Sequence, residues 1–184
     1  MIVSPGPATL SMAAVGSAFG FTRGVPYLMG CASGLIMVMI AVAIGLAQLV
    51  EVFPGIGYAA GLLGVGYIFF LAYRIATQDP GTSKLNSPGS PGFLAGIIVS
   101  LSNPKGWAVM GALFSSLGPI NNVITSNVLI RISILCAITV LGNLAWTMLG
   151  DRLSSVVTDP ARGRMINRMF ALLLVVSVIW ALLL

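Results

Sequence analysis

Between Phe93 and Leu117 the chain is almost continuously apolar, interrupted near its middle by Ser102-Asn103-Pro104-Lys105-Gly106. A run of about 25 residues is long enough to cross the roughly 30 Å hydrocarbon core of a bilayer. A proline inside it removes one backbone donor, and its ring clashes with the carbonyl one turn back, so the span is expected to split there. In hydrocarbon, the freed backbone groups and a lysine at that depth are costly unless they face other helices or a watery cavity. The break is therefore read as a binding site within a membrane protein.

The composition supports that reading. The 184 residues are 58% hydrophobic and only 7% charged, with a mean hydropathy of +1.04, whereas soluble domains carry roughly 25% charged residues. Long apolar runs separated by short polar breaks, without alternating strand-length segments, specify an all-α integral membrane bundle rather than a barrel. The net charge of +5 then reports topology, and no nucleic-acid partner is expected. Cys31 and Cys136 lie inside apolar runs without CxxC spacing, so no disulfide framework is expected. The chain has no histidine and no carboxylate cluster, which argues against a hard-cation site. Neither a metal, a cofactor nor an enzymatic activity is expected. No cleavable signal peptide is visible, and the first span is expected to act as its own insertion signal.

Read in order, the chain predicts six spans. Span 1 starts cleanly at Pro7 and runs from Ala8 to Gly20, which is short for a crossing; it either begins at membrane depth or continues upstream of Met1, and we take the second. Gly16, Gly20 and Gly24 recur every four residues and are expected to share one close-packing face that continues into a turn around Arg23 and Pro26. Span 2 covers Tyr27 to Val50, with Gly30 and Gly34. Span 3 covers Ile56 to Ala76, with Gly57, Gly61, Gly64 and Gly66. The Pro-Gly-rich segment 77–92 is a linker, and span 4 is the broken run. Span 5 covers Ile124 to Leu149, a charged loop is expected from Asp151 to Arg164, and span 6 covers Met165 to Leu184.

The loops after spans 1, 3 and 5, with the start of span 6, hold Arg23, Arg74, Lys84, Arg152, Arg162, Arg164 and Arg168, whereas those after spans 2 and 4 hold no Lys or Arg. Basic residues mark the cytoplasmic side, so both termini are expected outside. Residues 1–76 and 93–184 have parallel layouts, each led by a proline-interrupted span, with Pro5 and Pro104 in corresponding places. Three spans per half make the two repeats inverted, and paired interrupted segments in inverted halves point to a transporter site near the midplane.

Ser4-Pro5-Gly6-Pro7, Gly64-Val65-Gly66-Tyr67-Ile68 and Leu101-Ser102-Asn103-Pro104-Lys105 resemble, in order and spacing, the lysine exporter (LysE/RhtB) family of amino-acid exporters, and the resemblance covers nearly the whole chain. It implies a multi-pass transporter of the inner (cytoplasmic) membrane that exports amino acids or related small metabolites with proton coupling, and the two halves are expected to give alternating access by rocking about the Pro5 and Pro104 breaks. Ala8 and Leu35 depart from the family's pattern, which often has a polar or acidic residue at these places.

An amino acid presents a carboxylate and an ammonium, so its site needs a positive field and acceptors. The helix ends after Pro7 and Pro104 can face the carboxylate, and carbonyls freed before each proline can accept from the ammonium. The substrate-binding candidates are thus Pro5, Gly6, Pro7, Asn103, Pro104 and Lys105, joined by Asn143 from span 5. Lys105 can instead bond the broken turn, and Asn103 can cap the following half-helix. Ser133, Cys136, Thr139, Asn143 and Thr147 share one face of span 5 and are expected to point into the bundle, for substrate or for interhelical bonds. Arg131 is expected to snorkel to the outer interface or to act as an outer gate. A thiol–disulfide carrier using Cys31 and Cys136, or a transporter of another small solute, is the alternative. The expected partners are an amino-acid substrate and the lipid bilayer, and small-residue faces permit a homodimer.

Overall fold

The computed structural model describes residues 6–43, 54–78, 89–115, 126–156 and 159–183, and every regular element among them is an α-helix. In chain order these are α1 (Pro7–Phe19), α2 (Phe21–Ala43), α3 (Pro54–Thr77), α4 (Phe93–Leu101), α5 (Pro104–Ser115), α6 (Ser126–Val156) and α7 (Pro160–Leu183). Within the described residues, Phe21–Val42, Ser133–Ser154 and Ala161–Ala181 are each long and apolar enough to cross a bilayer. Large apolar side chains such as Leu62, Leu63, Leu172 and Trp180 point outward, as a bundle solvated by lipid requires.

Local chemistry sets the helix ends. Pro7 opens α1 at N1, and the extended Gly6 before it donates its N–H to Thr9 Oγ1 at 2.8 Å. Gly20 closes α1 with φ 85° and ψ 161°, a conformation essentially confined to glycine. The chain reverses on that residue alone, so Arg23 and Pro26 lie inside α2 and not in the expected turn. Pro26 forfeits just one intrahelical bond near the start of the helix. The charged loop expected from Asp151 to Arg164 is also mostly helical: α6 continues to Val156, and α7 starts at Pro160, where Asp159 Oδ1 accepts the Ala161 N–H at 2.9 Å. Span 4 is split as expected, into α4 and α5.

The most extensive packing joins α2 to α4, α1 to α6 and α3 to α7. Glycines make the first two contacts close. A Cβ at Gly30 would collide with the Phe93 carbonyl, one at Gly96 with the Tyr27 carbonyl, one at Gly16 with the Thr147 carbonyl and one at Gly150 with the Ala13 carbonyl. Gly16 and Gly24 are not on one helix face, because Gly20 separates their helices, yet both abut Thr147. Gly64 abuts Ser102 at the break, whereas Gly61 and Gly66 face open space.

A polar network ties together the end of the bundle where α1 and α3 finish and α2, α4 and α7 begin. Ser17 Oγ donates to Asn167 Oδ1 at 3.0 Å, and Asn167 Nδ2 donates to the Gln78 carbonyl at 3.5 Å, all three residues being buried. Ser90 Oγ donates to the Arg23 carbonyl at 2.6 Å. The Arg74 guanidinium donates to the Gly89 carbonyl at 2.6 Å and sits 5.6 Å from the Phe19 ring centroid and 5.9 Å from that of Phe70. Beneath this basic end lies an apolar layer that includes Phe19, Leu71, Ile75 and Leu174.

Candidate functional site

At the break, most freed backbone groups find local partners. The Ser102 N–H donates to the Ile98 carbonyl at 3.0 Å and the Asn103 N–H to the Ser100 carbonyl at 3.2 Å. Trp107 Nε1 reaches back to the Leu101 carbonyl at 2.7 Å. The carbonyls of Ile98, Ser100 and Leu101, among those expected to receive a substrate ammonium, therefore already hold a donor. On the α5 side, the amides of Gly106 and Trp107 turn to the Asn103 carbonyl at 2.9 and 3.4 Å. With those amides committed to backbone, the Asn103 side chain does not cap the helix. Its Oδ1 is buried and has no hydrogen-bond partner, although the residue is only 8% exposed.

The start of α1 meets this break. A Cβ placed on Gly6 would lie 3.0 Å from Lys105 Cδ and 3.1 Å from Nζ, so the lysine side chain runs across the bare glycine. α1 (13 residues) leads from this point to the basic end, and α4 (9 residues) leads from the basic end back to it. At 1.5 Å per residue the meeting point lies roughly 14–20 Å from that end, close to the middle of a 30 Å core.

A cavity of about 50 Å³ opens at the meeting point, lined by Gly6, Ala8, Thr9 and Met12 of the first segment, Cys31 and Leu35 of α2, Ser100, Asn103, Lys105, Gly106, Val109 and Met110 around the break, and Thr139 and Asn143 of α6. That volume holds a few waters or a small polar solute. Lys105 is the one charged side chain among the described residues lining it. Buried hydrogen bonds brace the wall: Ser100 Oγ donates to the Cys31 carbonyl at 2.8 Å, Tyr27 Oη to Ser11 Oγ at 2.7 Å, and Ser11 Oγ to the Ala8 carbonyl at 2.7 Å. An apolar void of about 10 Å³ adjoins it and shares Leu35, Met110 and Thr139.

Of the sequence candidates, Gly6, Asn103, Lys105 and Asn143 come together around the cavity. Pro7 and Pro104 are not among the lining residues, but they fix where α1 and α5 begin. Pro5 lies outside the described residues. The α6 stripe is divided: Thr139 and Asn143 face the cavity, Thr147 is buried and donates to the Asn143 carbonyl at 2.9 Å, and Ser133 is exposed, so the stripe does not point inward along its whole length. The side chain of Arg131 is outside the described set. Cys31 and Cys136 are free thiols, the first lining the main cavity and the second the apolar void.

Sequence reasoning missed Thr9, Ser100 and the Tyr27–Ser11 pair, which are small hydroxyls in apolar runs with no spacing to mark them. It also passed over Asn167, for which a signal existed: an amide in an apolar span needs partners, the argument applied to Asn143.

The LysE type translocator family matches residues 1–182 of the chain. The cysteine/O-acetylserine efflux protein of Salmonella typhi is 30% identical over 175 residues, covering 94% of this chain and 87% of its own length. That of Klebsiella pneumoniae subsp. pneumoniae is 29% identical over 176 residues with the same coverage. No solved structure matches the chain.

Proposed function

The chain belongs to the LysE family of translocators, and on that premise we propose that it exports small amino acids by alternating access around the cavity where Gly6 meets Lys105. The observation that carries this reading is the convergence itself: two helix starts, one from each half of the chain, meet at one cavity with a lysine between them. The substrate carboxylate docks against Lys105 in the positive field of the α1 and α5 starts, and its ammonium faces Asn103 Oδ1 and Asn143. Ala8, Leu35 and Met110 leave an apolar wall toward a small side chain. The relatives' efflux of cysteine and O-acetylserine fits that size and polarity.

In this reading the protein has six spans, α4 and α5 counting as one, in inverted repeats 1–76 and 93–184, with 77–92 as the cytoplasmic linker. The basic end faces the cytoplasm. Its polar network and the apolar layer beneath close the inner route, so the halves must separate there to load substrate. Proton coupling belongs to the same proposal, and Lys105 and Cys31 are the ionisable side chains described on the cavity wall. Lipid covers the exposed apolar faces, and the open glycines Gly61 and Gly66 leave room for a second copy.

The test is export from cells loaded with dipeptides. Cells expressing the chain release small neutral amino acids faster than vector controls, and Lys105→Ala returns release to the control rate. Equal release from all three, with each protein present in the membrane, would overturn the proposal.

A further inference from the structure

An amino acid brings two charges to the cavity, and the cavity answers them unequally. On the positive side, the starts of α1 and α5 both open onto it, and each helix start carries the equivalent of about half a positive charge. Lys105 adds a full charge between them, its Nζ beside Gly6. On the negative side, the described wall offers only neutral acceptors. No carboxylate is found among the described residues lining the cavity. The carbonyls of Ile98, Ser100 and Leu101 already receive donors. The side-chain acceptors on the wall, among them Asn103, Thr139 and Asn143, are all neutral, and Asn103 Oδ1 is a buried amide oxygen with no partner.

In a partly buried site a full charge acts on a ligand more strongly than a neutral hydrogen-bond acceptor does. From this imbalance we infer that recognition is governed by the carboxylate: the cavity is a site for small monocarboxylates, of which amino acids are one class, and the α-ammonium is close to dispensable. A 2-hydroxy acid of the same size offers Asn103 Oδ1 a hydroxyl donor in place of the ammonium and binds comparably. A solute whose net charge is positive is repelled by the helix starts and Lys105 and is refused. The inference rests on the proposed placement of substrate at this cavity and specifies which part of the substrate is read.

The experiment is ligand-induced thermal stabilisation of the purified full chain in detergent, with L-alanine, L-lactate, L-alanine methyl ester and L-lysine as probes. Binding to the folded state raises the melting temperature with ligand concentration, which yields an apparent affinity. L-Lactate is expected within about threefold of L-alanine, and the methyl ester and L-lysine at least about tenfold weaker, a gap of about 1.4 kcal/mol. Lys105→Gln erases the response to L-alanine and L-lactate, and Lys105→Arg retains it. Asn103→Asp, which turns the orphan amide oxygen into a carboxylate, brings a response to L-lysine. A methyl ester that matches L-alanine, or L-lactate that fails where L-alanine succeeds, would overturn the inference while leaving the cavity as the binding site. No response to any probe would overturn the placement of substrate there, and this inference with it.

Discussion

Two polar regions lie inside this bundle, and they are completed to different degrees. At the basic end Ser17, Asn167 and the Gln78 carbonyl satisfy one another, and Arg74 and Ser90 each hold a backbone carbonyl of a neighbouring segment. At the break, backbone is bonded to backbone, but Asn103 keeps a lone buried acceptor in the wall of a cavity that Lys105 also lines. A satisfied network in a low-dielectric interior fixes helices relative to one another, whereas an unsatisfied group there costs stability unless a ligand or water completes it. In the proposed reading the first region holds shape and the second receives the substrate.

That contrast can be broken most forcefully through the contacts both regions depend on. At Gly30 a Cβ would collide with the Phe93 carbonyl and approach Gly96 Cα at 3.1 Å, with no flexible side chain to yield. Gly30→Leu is expected to cost about 3 kcal/mol or more and to separate α2 from α4, by the overpacking such a clash imposes. Gly61→Leu on the open face of α3 is expected to leave stability unchanged, since nothing lies within 4 Å there. Unfolding of the purified variants in denaturing detergent distinguishes them.

Next in size is the network at the basic end. Asn167→Leu removes the acceptor of Ser17 and the donor to Gln78, leaving both without that partner in a buried place. A loss of about 1–2 kcal/mol is expected, the upper range for interhelical bonds in membranes. Export per folded molecule should survive if the network's role is to hold the closed end.

The division between what could and could not be read in the sequence follows the same line. Covalent constraints were legible: prolines at 7 and 104 place the starts of α1 and α5, and the glycines at 16, 30 and 34 mark close helix contacts, because backbone restrictions act locally. The meeting of Gly6 with Lys105 was foreseen only as two matching breaks, since their separation is set by packing between distant segments. The reversal at Gly20 was missed because one glycine with positive φ replaced the longer turn that Arg23 and Pro26 suggested. Likewise, the polarity from Asp151 to Arg164 read as a loop, but α6 carries its part of that charge near its end and α7 carries its own in its first turns. The fate of Asn103 could not be read at all: whether an asparagine caps depends on which amides its own carbonyl has already taken.

At Asn103 a small expected change in stability accompanies a large expected change in transport. Asn103→Ala deletes an acceptor that nothing in the protein uses, so thermal stability should change by less than about 0.5 kcal/mol, or rise. The most direct measurement compares efflux of a small neutral amino acid from proteoliposomes containing wild type, Asn103→Ala or Asn167→Leu, each normalised to folded protein. The account predicts that Asn103→Ala loses most efflux at unchanged stability, whereas Asn167→Leu keeps efflux at reduced stability. Full efflux from a stable Asn103→Ala protein would contradict it.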